Sequence, residues 1–224
     1  FRPSWKLTGG HRLLDEDAIS RARKVGLDLD SNYEGKISER RIQNAQIPPY
    51  ANCAVHISGI PVQTTSADIL RSITEGKIFA FNRVDPNSRH KEAAANVTFI
   101  DRQAAERYMI KSQSSGIRIN GTMVDVNWNR IAAGPSSNRL QSRVIRITGP
   151  REEINAEALE DFLHTRTVFE LVDRSELWHA QGRKSATLSF CQILGQSRIA
   201  VRCLRQHAME KGMDWVVSYS KDPC

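Results

Sequence analysis

The chain has 224 residues, of which 40% are hydrophobic and 25% charged, the balance of a protein that buries a core. No apolar run nears the roughly 20 residues that a membrane-spanning helix needs, and no charged-then-apolar leader is visible, so a membrane partner is not expected. The net charge of +7 favours an anionic partner, with nucleic acid the commonest case. Because it begins at Phe1 rather than Met, the chain reads as a fragment.

Residues 1–50 read as a partly helical N-terminal extension. Leu14, Ala18, Ala22 and Val25 recur at helical spacing, so Asp15–Gly26 is expected to be a helix that stops at Gly26. Gly, Asp and Asn cluster up to Gly35, and Pro48-Pro49 closes the segment. The helix is expected to dock on the domain formed by residues 51–130, with Trp5, Tyr33 or Tyr50 as anchors; a flexible flank is the other reading.

Residues 51–130 carry an alternation of short elements. Ala54–Ser58 reads as a strand. Thr65 with Asp68 three residues on resembles a helix N-cap pair, ahead of the apolar stripe Ile69, Leu70 and Ile73. Gly76 ends that helix, and further strands are expected at Ile78–Phe81 and Ala94–Ile100. Asp101 caps a second helix carrying Ala104, Ala105, Tyr108 and Met109, and an Asn120-Gly121 turn leads to Met123–Trp128. Trp128 is expected in the inward row of its strand. The order is βαββαβ.

Residues 131–142 read as a linker, with a Gly/Pro/Ser/Asn stretch at Ala133–Asn138. Residues 143–224 then repeat the order. Val144–Thr148 is a strand, Asn155 caps a helix with Leu159, Phe162 and Leu163, and strands are expected at Val168–Val172 and Ser185–Phe190. Ile199, Ala200, Cys203 and Leu204 mark a helix, and Trp215–Tyr219 the last strand. The expected class is α+β, with two such units in tandem.

The repeated order and the residues in its strands resemble tandem RNA recognition motifs (RRMs). The family's first-strand signature is matched by Val55–Ile60 (VHISGI) and Ile145–Pro150 (IRITGP), and its third-strand signature by Glu92–Phe99 (EAAANVTF) and Arg183–Phe190 (RKSATLSF). The resemblance spans residues 51–221 and implies, for each domain, a ferredoxin-like four-stranded antiparallel sheet with two helices on one face. In the family the other, open face usually holds single-stranded RNA. Strand alternation then sets Val55, Ile57, Ala95, Val97 and Phe99 inward in the first domain and Ala54, His56, Ser58, Ala94, Asn96 and Asn127 outward. In the second, Ile145, Ile147, Ala186, Leu188 and Phe190 are inward and Arg146, Thr148, Ser185, Thr187 and Ser218 outward.

Both signatures are degenerate. Where the family usually places stacking aromatics, this chain has His56, Ala94 and Asn96, then Arg146, Ser185 and Thr187. A stacked base is worth roughly 1–3 kcal/mol, so binding has to come from elsewhere. His56 is expected to stack on or hydrogen-bond a base, or else to be a covered strand residue. Asn96 and Asn127 would bond base edges, or only keep an open sheet soluble. Arg130, Arg139, Arg143 and Arg146 fall in a stretch without an acid and would pair with phosphates from the linker, or merely solubilise it. Arg183 and Lys184 are the phosphate-contact candidates of the second domain. Trp178-His179 is expected in a loop, either stacking on RNA or folded back on the domain.

The four cysteines form no C-x-x-C and stand near no paired histidines, so no metal site is expected, and they read as thiols in a reducing compartment. The six histidines show no catalytic pairing, and no cofactor motif is present. The expectation is a non-enzymatic, single-stranded RNA-binding fragment of RNA processing or post-transcriptional regulation. Its expected compartment is the nucleus or cytoplasm, with the nucleus favoured. The alternative is a protein-interaction scaffold built on sheets that lack stacking aromatics, with a partner on one sheet or helix face.

Overall fold

The computed structural model describes residues 16–27, 39–88 and 90–224. Two short helices come first, α1 (Glu16–Lys24) and α2 (Glu39–Asn44). The chain then runs β1 (Ala54–Ile60), α3 (Ser66–Arg71), β2 (Ile78–Val84), β3 (Ala93–Phe99), α4 (Arg102–Ser114), β4 (Ile117–Ile119) and β5 (Thr122–Trp128). It continues as β6 (Val144–Pro150), α5 (Ala156–His164), β7 (Leu171–Trp178), β8 (Arg183–Phe190), α6 (Arg198–Lys211) and β9 (Val216–Tyr219). Both sheets are antiparallel, in the orders β2-β3-β1-β5-β4 and β7-β8-β6-β9. Apart from the short hairpin strand β4, each half has the βαββαβ order and the ferredoxin-like strand arrangement expected from the sequence.

Local chemistry sets the element boundaries. Thr65 and Asp68 form a reciprocal capping box at the start of α3. Asp101 accepts from Ala104 N–H to start α4, and Asn155 accepts from Ala158 N–H to start α5. The tight turn between β4 and β5 needs positive φ at both central residues, and Asn120 (φ +48°) and Gly121 (φ +80°) supply it. Alternation along β1 and β3 sends Val55, Ile57, Ala95, Val97 and Phe99 into the first core. Ile145, Ile147, Ala186, Leu188 and Phe190 do the same in the second. Trp128 is half-buried at the edge of the first core, with the Arg102 guanidinium 3.9 Å from its ring centroid.

Two strands differ from expectation. The strand expected at Val168–Val172 is β7, which starts at Leu171 and runs to Trp178. It is the outer strand of its sheet, and residues 173–178 are exposed, so the polar run Asp173, Arg174, Ser175 and Glu176 leaves no apolar alternation to read. Likewise β2 continues beyond Phe81 through the polar Asn82 and Arg83.

The two halves share a packed seam. Phe190 lies in the second core, whereas the next residue, Cys191, lies in the first. Cys191 O accepts from Phe81 N–H at 2.9 Å, and Gln192 bridges Ala80, so the chain leaving β8 lines the outer edge of β2. Ile193 and Leu194 then pack with Phe79, Ala80 and Ile100. The C-terminal residues close the seam. Asp222 Oδ2 accepts from Ile78 N–H in the first half and from Arg143 Nε in the second, each at 3.1 Å.

Trp5 and Tyr33, two of the anchors expected for the N-terminal helix, lie outside the described residues. Tyr50, the third, is 78% exposed. The end of α2 and the turn after it reach the linker. Asn44 Oδ1 accepts from Gly134 N–H at 3.2 Å, and Ile47 Cδ1 occupies the space a side chain at Gly134 would need.

Candidate nucleic-acid interface

On the first sheet one row crosses four strands. Asn82 on β2 faces Asn96 on β3, Asn96 faces His56 on β1, and His56 faces Asn127 on β5. His56 Nδ1 lies 2.9 Å from Asn96 Oδ1, which also accepts from Asn129 Nδ2 at 2.8 Å. With that oxygen as acceptor, the imidazole donates from Nδ1. His56 and Asn96 are half-buried within this network, while Asn82 and Asn127 are exposed. The neighbouring row places Asp125 opposite Ser58. An exposed carboxylate there repels phosphate, so this face suits polar contact with bases better than charge pairing.

Ala54, expected on the open face, is buried. Asn129 N–H bonds its carbonyl at 2.9 Å, Asn52 Oδ1 accepts from both Ala54 N–H and Ala133 N–H, and the returning chain closes over this end of β1.

On the second sheet the corresponding row is Ser175, Thr187, Arg146 and Ser218. Arg146 is exposed and the row carries no acid. The next row is Leu177, Ser185, Thr148 and Val216, with Leu177 and Val216 exposed at the two edges. Arg183, at the sheet end, bonds Asp214 Oδ2 at 2.5 Å and Asp214 O at 3.3 Å, which ties its guanidinium to the start of β9.

Other expected phosphate contacts are placed differently. Arg143 is 2% exposed. Its Nε and Nη2 pair with Asp222, Nη1 donates to Phe190 O, and Nη2 also approaches Cys224 Sγ at 3.1 Å. It is a seam residue, and no phosphate can reach it. Lys184 lies in the helix-facing row with Ala186 and Leu188, is 8% exposed, and pairs with Glu176 at 2.6 Å. That hydrogen bond, with a second from Ala156 N–H, holds the Glu176 carboxyl below the usual carboxylate range. Lys184 therefore steadies the start of α5 rather than the open face.

Arg130 and Arg139 are exposed, yet the linker does not hang free beside the sheets. Ala133 O accepts from Cys53 N–H, Ser136 N–H bonds Ile100 O, and Lys77 Nζ bonds Arg139 O. The linker thus runs along the end of the first domain, and its arginines are not brought together with Arg146 by any contact.

Several residues carry no readable signal in the sequence. Asn82 falls beyond Phe81, where the polar continuation of an outer strand gives no period. Asn129 lies just past β5. Asp222 has no signal, because its importance comes from partners 79 and 144 residues away. Among the described residues no cluster of three His, Cys, Asp or Glu side chains could hold a metal, and no helix is long and apolar enough to cross a membrane.

No family model and no curated protein matches the chain. Solved structures do. A complex titled Sxl-lethal protein/RNA aligns at 15% identity over 75% of this chain and 99% of its own, with a TM-score of 0.29. The first two RRM domains of yeast poly(U) binding protein Pub1 align at 15% identity over 75% and 99%, with a TM-score of 0.30. The N-terminal three RNA-binding domains of the yeast splicing factor Prp24 align at 12% identity over 75% and 64%, also with a TM-score of 0.30. The strand orders of the two sheets are those of two ferredoxin-like units in tandem, the arrangement that the resemblance to RRMs implies.

Proposed function

We propose that this chain binds single-stranded RNA without catalysing a reaction, using two atypical RRM sheets. The observation that carries it is Arg146, exposed in the middle of an acid-free row on the second sheet. A guanidinium there supplies both a phosphate contact and a plane on which a base can stack. The His56–Asn96 network and the exposed amides of Asn82 and Asn127 add hydrogen-bonding groups on the first sheet, where base edges rather than phosphates are favoured. Arg130 and Arg139 contribute long-range attraction from the end of the first domain. A role in RNA processing or regulation, in the nucleus or cytoplasm, belongs to the same proposal.

The test is fluorescence anisotropy with a short, mixed-sequence single-stranded RNA over a salt series. Binding is expected at low salt and weakens as salt rises, because phosphate contacts release counterions. Arg146→Ala weakens it. No binding at low salt overturns the proposal. A protein partner is the second reading, favoured by Leu177 and Val216, which are exposed on the second sheet's open face. Substituting both by Ser while RNA affinity holds and a partner is lost would favour it.

A further inference from the structure

Trp178 and His179 are adjacent but take opposite sides of the second sheet. Trp178 pairs with Lys184 in the helix-facing row, and its ring has the Arg151 guanidinium and the Lys184 ammonium each 5.2 Å from the centroid. His179 begins the β7–β8 turn, and its Nε2 lies 2.9 Å from Ser185 Oγ. Ser185 belongs to the open row, between Leu177 and Thr148. The imidazole therefore lies back over the open face. It is itself exposed, while the serine beneath it keeps 1% of its surface. The turn is well fixed. His179 N–H bonds Arg183 O at 2.9 Å, and Gln181 (φ +59°) and Gly182 (φ +67°) supply the reversal.

We propose that His179 is a base-stacking residue of the second sheet, supplied from the turn instead of from a strand. The strand positions themselves offer only Ser185, Thr187 and Arg146, none with an aromatic ring. The exposed side of the His179 ring presents a flat π-surface that any unpaired base can cover. The Arg146 row is the next along the sheet, about 7 Å away, and reaches the adjoining phosphate. Ser185 is a positioning residue, since its hydroxyl fixes the ring against the sheet. This inference rests on the RNA-binding proposal and names the class of contact made there.

The test uses the same labelled, mixed-sequence RNA. His179→Ala is expected to weaken binding roughly 5- to 150-fold, the worth of one stacked base. His179→Phe, which keeps a ring, stays near wild type. Trp178→Ala, on the other side of the sheet, changes affinity little. In the wild-type protein the His179 ring protons shift upfield on RNA addition, and Ser185→Ala diminishes that shift. If Arg146→Ala weakens binding and His179→Ala does not, the stacking role is overturned and the RNA-binding proposal stands. An equal loss in His179→Phe also overturns it, since a ring alone would then be insufficient. Absence of binding by the wild-type protein at low salt overturns both.

Discussion

The central rows of the two sheets occupy the same place in the same topology and present different chemistry. On the first sheet, Asn96 Oδ1 takes hydrogen bonds from both the His56 imidazole and the Asn129 amide, and its neighbouring row includes Asp125. On the second, Arg146 stands exposed between Thr187 and Ser218, with His179 folded over the adjoining row. The first face ties His56 and Asn96 into one network and leaves Asn82 and Asn127 exposed; the second leaves its cation to solvent, with Asp173 two residues along the edge strand from Ser175. A repeated fold therefore does not repeat a surface. The inward rows are constrained by packing, and the outward rows are free to diverge.

The strongest way to break the comparison is to part the halves. Asp222→Ala leaves Arg143 buried without its carboxylate, at a cost of about 3–5 kcal/mol. A marked fall in the thermal midpoint is expected. Burial holds the Cys224 thiol up to about 12, with the Arg143 guanidinium opposing and Asp222 reinforcing the shift. Alkylation of Cys224 at mildly alkaline pH is accordingly slow in the wild type and faster once the seam opens. If the second face acts by itself, the folded fraction of this variant still binds RNA.

Arg146→Ala comes next. Losing a charge-assisted phosphate contact costs about 1.5–3 kcal/mol of binding, and the slope of affinity against salt falls as well. Asn96→Ala acts on the other face, where the His56 and Asn129 donors lose their acceptor. The expected loss in stability is about 1–3 kcal/mol, measured by urea unfolding, with a smaller effect on RNA affinity than Arg146→Ala. A larger effect on affinity would reverse the ranking of the two faces.

The smallest effect is expected from Lys184→Ala. RNA affinity stays unchanged, because the ammonium faces the helices. The Glu176 carboxyl, held low chiefly by the Lys184 hydrogen bond, rises toward the ordinary range, and an NMR titration reads this directly. The sign follows from a depressed folded-state value. The contribution to stability is present above the unfolded carboxylate range and is lost as pH falls through the folded value. The variant shows less of that loss.

The architecture is legible because burial writes a period into the sequence. The inward rows of β1, β3, β6 and β8, the capping residues Thr65, Asp101 and Asn155, and the Asn120-Gly121 turn all act locally. The site is less legible. Arg143 and Lys184 look like any surface cation in sequence, and only the three-dimensional position of Asp222 and the face parity of β8 bury them. His179 is equally hidden, because a turn decides which of two neighbouring rings covers the sheet. The outer strands blur at Phe81 and Val168, since a strand with one free edge carries polar residues without alternation.

The outer edge of β2 has a consequence for synthesis. Phe81 N–H finds its partner at Cys191, and Ile78 N–H finds its partner at Asp222. At ribosomal speeds the chain between Phe81 and Cys191 takes on the order of 5–20 s to emerge. For that interval the nascent first domain carries an unpaired strand edge, open to any other extended chain nearby. Charged Arg83 and Asp85 lie just beyond it in the chain, and charge beside a strand edge makes it a poorer template for such pairing.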